Sequence, residues 1–355
     1  MGLKLEQVIE GIEPLNAEWR KQAREYLNKL AIPQGSLGEL LNLAEQLAAI
    51  KHSLKPSVRN KVVVTMAGDH GVVVEGISAF PQEVTPQMVA NFVAGGAAIN
   101  ILAEVSGARV VVVDMGVAAD LTGLVKEGKI QSYKVDYGTR NMALGPAMTR
   151  TQAVQALEAG IEIAGKLASE GVELLATGDM GIGNTTPSSA ILAVFSGLPV
   201  LEVTGRGTGI SDQALQNKAR VIEKALDVNK PDATDPVDVL AKVGGFEIGG
   251  IAGLILGAAY YKIPVVVDGF ISTAGALLAK ALAPESLNYM IAAHQSMEYG
   301  HQFMLKELGL KPLLNLNLRL GEGTGAALAM NIVEASAQVI GKMLTFEDAW
   351  VTAGV

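Results

Sequence analysis

Cysteine is absent from the 355 residues, histidine occurs four times, and phenylalanine, tyrosine and tryptophan together make up only 5%. Without cysteine there is neither a disulfide nor a thiolate metal site, which fits a reducing compartment. The histidines show no HExxH-like spacing; His294 and His301 lie seven apart and read as structural side chains, so no metal or other cofactor is expected. Basic residues are also in deficit, with 28 Lys and Arg against 36 Asp and Glu and a net charge of -8. No basic stripe is present to face a phosphate backbone, and no nucleic-acid partner is expected. Long apolar runs are missing too. The greasiest stretch, Ile248 to Tyr261, is bounded by Glu247 and Lys262 and stops at Pro264, short of the roughly 18 apolar residues of a membrane span. It reads as a buried helix, with no membrane partner. Met1 to Glu6 carries no apolar signal core and no myristoylation pattern, so a cytoplasmic protein is expected.

What the chain has is apolar bulk and glycine. At 49% hydrophobic and 18% charged, it can bury a sizeable core and suits one large domain with a smaller one. Asn16 to Leu30 and Leu37 to Ile50 carry apolar residues at helical spacing, separated by a Pro33-Gln34-Gly35-Ser36 turn in which Ser36 can cap the second helix. From Lys61 onward, short β-branched runs alternate with Ala- and Gly-rich helical segments, the pattern of parallel β/α units. The expected strands are Val62 to Met66, Arg109 to Val113, Val172 to Thr177 and Pro264 to Val267. Val200 to Val203 is a fifth, and the apolar run ending near Leu320 a sixth.

Four of these runs end in an aspartate within two residues of a glycine: Asp69, Asp114, Asp179 and Asp268. In a parallel sheet all carboxyl ends share one edge, so the four carboxylates are expected to converge there with Glu322. Any one of them alone would be an ordinary turn residue. Glu322 sits between Gly321 and Gly323, ahead of a helical segment Thr324 to Ile340. It reads either as a general base in an open loop or as a turn carboxylate favoured by the helix dipole. The loop Gly181-Ile182-Gly183-Asn184-Thr185-Thr186 joins a strand to an apolar segment and is the best anion candidate, although it is neither a Walker A loop nor a dinucleotide fingerprint. Gly205 to Gly209, with Gly207 at its centre, and Lys218 and Ser296 can add donors and a cation. Glu75 to Met88, with two prolines and Phe, Met and Gln side chains, is either a packed surface loop or the wall of a flat pocket for an aromatic ring. A dinucleotide-dependent oxidoreductase and a non-catalytic nucleotide-binding module both remain open on these residues.

Several motifs together, in order along nearly the whole chain, resemble the nicotinate-nucleotide:dimethylbenzimidazole phosphoribosyltransferase family. They are Gln34-Gly35-Ser36-Leu37-Gly38, Gly68-Asp69-His70-Gly71, Pro81-Gln82-Glu83-Val84-Thr85, Gly178 to Thr186, Val267-Asp268-Gly269-Phe270 and Leu320-Gly321-Glu322-Gly323-Thr324-Gly325. One position departs: the family usually carries Glu where this chain has Asp179, so the carboxylate is kept one methylene further back. The resemblance implies a Rossmann-like α/β fold, a three-layer parallel-sheet domain over 59–324, with a small helical domain from 1–58 and 325–355, usually as a homodimer. It also implies transfer of phosphoribose from nicotinate mononucleotide to a benzimidazole-type base, without a cofactor. Glu322 would be the base and Asp179 a flanking catalytic carboxylate. Gly181, Gly183 and Asn184, with Gly207, Lys218 and Ser296, would take the phosphate, and Glu247 and Asp268 the ribose hydroxyls. Ser78 and Gln87 would face the base, with Gly269, Phe270, Leu320 and Gly323 completing the substrate pocket.

Overall fold

The β-branched runs pair into one fully parallel six-stranded sheet. The structure, a computed structural model, describes residues 3–207 and 209–352. Its strands are β1 (Lys61–Gly68), β2 (Ala108–Gly116), β3 (Gln131–Ser132), β4 (Leu174–Met180), β5 (Val265–Val267) and β6 (Met290–Ala292), in the order β3-β2-β1-β4-β5-β6. β1 is central, its Val64 opposite Val111 of β2 on one side and Thr177 of β4 on the other. In this doubly wound order the direction of winding reverses between β1 and β4, and such sheets bind ligands outside the carboxyl ends at that reversal.

Alternation along β1 makes the three layers. Val62, Val64 and Met66 pack into the core shared with helices Arg150–Ser169 and Phe246–Tyr260. Val63 and Ala67 face the opposite core, built with helices Val84–Ala94, Ala98–Ser106 and Thr324–Lys342. The apolar stretch expected as a buried helix is helix Phe246–Tyr260, buried from Phe246 through Ala259. It lies close on Arg150–Ser169 because Gly160 and Gly253 carry no side chain; a Cβ at either would strike the facing backbone. The stretch 84–106 is also long and apolar, but Gly95, at φ +78°, ends one helix and Ala97 opens the next.

Three local expectations are corrected. Val200–Val203 is a short helix rather than a strand. Pro199 sets its start, and the Thr204 hydroxyl donates back to the Val200 carbonyl, closing the turn. The run ending near Leu320 forms no strand. It meets the edge of the sheet beside β6, where Leu313 N–H donates to the Ala292 carbonyl and Leu314 bridges His294, and Asn317 at φ +57° breaks the extended conformation. Ser36 does not cap the second helix, Glu39–Lys51, which opens instead at Gly38 with φ +52°. Asn16 does cap the first, Ala17–Leu27, accepting from the N–H groups of Glu18 and Trp19. These two helices pack with the C-terminal half of Thr324–Lys342 through Ala23, Leu27, Ala44, Ala48 and Ile340. The N-terminal half of Thr324–Lys342 lies on the sheet. Met1, Gly2 and the last three residues, assigned from the sequence to a helical domain, lie outside the described residues.

Candidate active site

The segments following β1, β4, β5 and β6 line an open cavity of about 400 Å³ at the sheet's reversal point, flanked by the strap 319–322. Ser78, Asp179, Gly181, Gly183, Asn184, Gly207, Gly269, Phe270, Ser296, Leu320 and Glu322 all lie on its wall. Gln87, Lys218, Glu247, Asp268 and Gly323 do not. Gln87 is exposed on its helix, while Val84 and Met88 turn to the cavity instead. Lys218, Glu247 and Asp268 are buried behind the wall. Thr208, within the Gly205 to Gly209 loop, lies outside the described residues.

Glu322 is held from three directions. Its own N–H donates to the Asp179 carbonyl, its carbonyl accepts from the Thr65 hydroxyl at 2.8 Å, and its Oε2 accepts from the backbone N–H of Ile99 at 3.2 Å. Ile99 stands in the first turn of helix Ala98–Ser106, so the carboxylate faces a positive helix end. The residue sits at φ +64°, a left-handed conformation that a side chain rarely adopts and that the flanking contacts enforce. Glu322 is 4% exposed, and burial pushes its pKa above the ordinary carboxylate value. The Ile99 N–H works against that rise, and the Asp268 charge adds to it.

Asp268 fixes the other side of the strap. Its Oδ1 accepts from the Ala326 N–H at 2.8 Å and its Oδ2 from Gly323 at 3.3 Å, which ties the end of β5 to the start of Thr324–Lys342. His294, also on the wall, lies 3.6 Å from Asp268, and its Nδ1 has no hydrogen-bond partner among the described residues. Asp179 Oδ2 accepts from the Asn184 side chain at 3.0 Å, while Oδ1 is buried without a partner among the described residues. Burial, and then the charges of Asp268 and Glu247, raise the Asp179 pKa well above normal; the Asn184 hydrogen bond opposes them.

The expected convergence of four strand-end aspartates holds for two and is corrected for two: Asp179 lines the cavity and Asp268, behind it, acts on both Asp179 and Glu322, while Asp69 and Asp114 lie off the wall. Asp69 accepts from the Ala118 N–H. Asp114 accepts from the Val117 N–H and lies 3.2 Å from Lys134, so both are turned to bracing the ends of β1 and β2. Glu247 pairs with His70 at 2.7 Å, both buried. Burial opposes charge on His70, but the Glu247 carboxylate outweighs it and raises the imidazole pKa.

The loop Gly181 to Thr186 turns sharply, with Gly183 at φ +90° and Asn184 preceding helix Thr185–Ser196. Behind the loop, Lys218 Nζ donates to Thr185 Oγ1 at 2.6 Å and to the Gly205 carbonyl at 3.3 Å. Burial lowers its pKa to about 8, opposed by Glu298. The cavity also has an apolar lining, with Ile77, Phe80, Val84, Met88 and Leu320. Sequence reasoning missed Ile99, which contributes only a backbone N–H and so leaves no side-chain signal. It also passed over Glu298 and Arg319, and it read His294, seven residues before His301, as a structural side chain rather than a wall residue.

A family model described as phosphoribosyltransferase matches residues 12–351. A nicotinate-nucleotide–dimethylbenzimidazole phosphoribosyltransferase of Syntrophotalea carbinolica is 57% identical over 350 residues, 99% of each chain. One from Geobacter sulfurreducens is 57% identical over 353 residues, again 99% of each. The crystal structure of CobT from Thermus thermophilus is 46% identical, covers 95% of this chain and 100% of that one, and superposes with a TM-score of 0.90.

Proposed function

The chain belongs to the nicotinate-nucleotide–dimethylbenzimidazole phosphoribosyltransferase family and is an enzyme of that kind, and we propose that Glu322 is the general base of its reaction. The enzyme moves the 5-phosphoribosyl group of nicotinate mononucleotide to 5,6-dimethylbenzimidazole in cobalamin biosynthesis. Nicotinate and α-ribazole phosphate leave, with C1′ inverted. The departing pyridinium becomes neutral as its C–N bond breaks, so the leaving group needs no acid. The attacking benzimidazole forms its new bond through one ring nitrogen and becomes cationic until the N–H on its other nitrogen is removed. A single base therefore suffices.

The observation that carries this assignment is the setting of the Glu322 carboxylate on the cavity wall. One oxygen is held by the Ile99 N–H and the other has no protein partner among the described residues. A buried carboxylate with a raised pKa is a better proton acceptor than an exposed one. Asp179, on the same wall, would stabilise positive charge building on the ribose, and the backbone of Gly181 to Asn184, backed by Lys218, would take the phosphate. The apolar side from Ile77 to Met88 with Leu320 suits the flat base. Asp268 would act on the ribose side through the strap it anchors.

Incubating the protein with nicotinate mononucleotide and a panel of benzimidazoles, purines and phenolics, with products weighed by mass spectrometry, tests the reading. Nicotinate and a ribotide of at least one base are expected. Binding of the nucleotide without any release of nicotinate would leave only a binding module. We further propose a cytoplasmic homodimer. Ile101 and Val105, exposed and four apart on the helix that holds Glu322, support it, and sedimentation at low concentration would reveal a monomer instead.

A further inference from the structure

Nicotinate mononucleotide brings two anionic groups into the cavity, the 5′-phosphate and the carboxylate on the pyridine ring. The carboxylates already on the wall, those of Asp179, Glu298 and Glu322, repel both. The anion loop before helix Thr185–Ser196, with Lys218 behind it, serves one of them. Lys218 is fully buried and engaged with Thr185 and Gly205, so it has no reach to a second anion elsewhere in the cavity. Arg319 is the only lysine or arginine among the described residues of the wall. It is exposed, and it makes no hydrogen bond or ion pair with any described residue, so all its donors are available.

Its place on the chain indicates which anion it meets. Arg319 immediately precedes Leu320, on the apolar side of the cavity, and stands three residues before Glu322 on the same strap. The loop at the end of β4 already has the Lys218 ammonium behind it. We propose that Arg319 binds the ring carboxylate of nicotinate and selects the acid form of the nucleotide over the amide. The inference rests on the phosphoribosyl-transfer reading above. A planar guanidinium matches a carboxylate with two parallel N–H···O bonds, a geometry that an ammonium does not reproduce. The amide analogue, nicotinamide mononucleotide, keeps the cationic pyridinium and loses the carboxylate. Arg319 then gains no partner and faces a like charge.

The pair persists while the C–N bond breaks, so the residue acts mainly through substrate affinity and specificity. The test compares kcat/KM for nicotinate and nicotinamide mononucleotides, with dimethylbenzimidazole as acceptor, in the wild type, Arg319→Gln and Arg319→Lys. In Arg319→Gln the acid should lose about 10- to 100-fold, mostly in KM, as expected for a charged hydrogen-bonded pair. The amide should hold its rate or gain, so the preference collapses. Arg319→Lys should recover only part of it. An equal fall for both donors would make Arg319 a phosphate or folding residue, and an unchanged acid-to-amide ratio would remove it from recognition; either overturns the inference. A wild type that releases no nicotinate with any base would overturn the transferase reading, and this inference with it.

Discussion

Gly178, inside β4, lies against the backbone of Glu322. A Cβ built on it would sit 2.7 Å from the Glu322 carbonyl carbon and 2.9 Å from the Gly323 nitrogen, and would collide with the Glu322 carbonyl oxygen. The strap carrying Glu322 is therefore seated directly on the sheet, fixed by the absence of one methyl group. Because both partners are backbone, no rotamer change relieves the clash. Gly178→Ala should cost about 1–3 kcal/mol in stability through overpacking. It should cost activity more, since a shift near 1 Å at a reacting group is worth about 100-fold. Thermal melting beside turnover checks this. Gly123→Ala, where nothing lies within 4 Å of the added carbon, is the control expected to change neither.

The centre of the sheet was legible because burial on both faces demands apolar β-branched residues. β1, β2, β4 and β5 all overlap the expected runs. β3, two residues long, and β6, three residues of Met, Ile and Ala, were too short to show a period. Val200–Val203 failed for the same reason, since four residues, three of them apolar, fit a helical turn as readily as a strand. In the site, Glu322 stood out through the glycines its backbone geometry needs. What its carboxylate meets did not, because the Ile99 N–H is common to almost any residue. His294 and Asp268 are 26 residues apart in sequence, and only the pairing of β5 with β6 brings them side by side.

Lys218 titrates within a usable range. Burial lowers its pKa to about 8, so the free enzyme loses this positive charge as pH rises through that value. If the charge supports the phosphate, kcat/KM for nicotinate mononucleotide should decline above about pH 8, and nicotinate riboside, which has no phosphate, should show no such limb. Lys218→Met should lose the mononucleotide far more than the riboside and abolish the limb. Equal losses would assign Lys218 only to holding Thr185 and Gly205.

Asp179 is a carboxylate placed where ionisation is costly. Its folded-state pKa is raised by burial and by the neighbouring Asp268 and Glu247 charges, so the cost of the charge is absent at low pH. It grows as pH rises above the unfolded value and is complete above the folded one. Asp179→Asn keeps an oxygen to face Asn184 and removes that cost. Its melting temperature should exceed the wild type's at neutral pH, with the advantage shrinking as the solution is acidified. Activity should move the other way, because the neutral amide cannot stabilise charge on the ribose. Asp179→Glu should retain most activity, since a Cβ built on Gly321 would lie 3.1 Å from the Asp179 carboxylate and the glycine leaves that space free. An Asn variant that is stabilised and fully active would remove charge at this position from catalysis.

Glu322 allows binding and chemistry to be separated. Glu322→Gln keeps an oxygen to accept from Ile99, and the side-chain change leaves the Thr65 and Asp179 backbone contacts in place, so the strap should hold its shape. Affinity for nicotinate mononucleotide should be nearly unchanged while turnover drops by roughly 10²- to 10⁴-fold, the range for a lost general base. The wild-type rate should rise with pH through a value above the ordinary glutamate pKa, because only the ionised carboxylate accepts a proton and burial raises its pKa. That limb should vanish in the variant. An N-methylated benzimidazole, which has no N–H to give up, provides the decisive comparison. With that acceptor the wild type and Glu322→Gln should transfer phosphoribose at similar rates, because the step Glu322 serves no longer exists. A variant that loses nucleotide affinity in step with its rate, or that is equally impaired with the N-methylated acceptor, would make Glu322 a binding or folding residue and return the base of this reaction to another group.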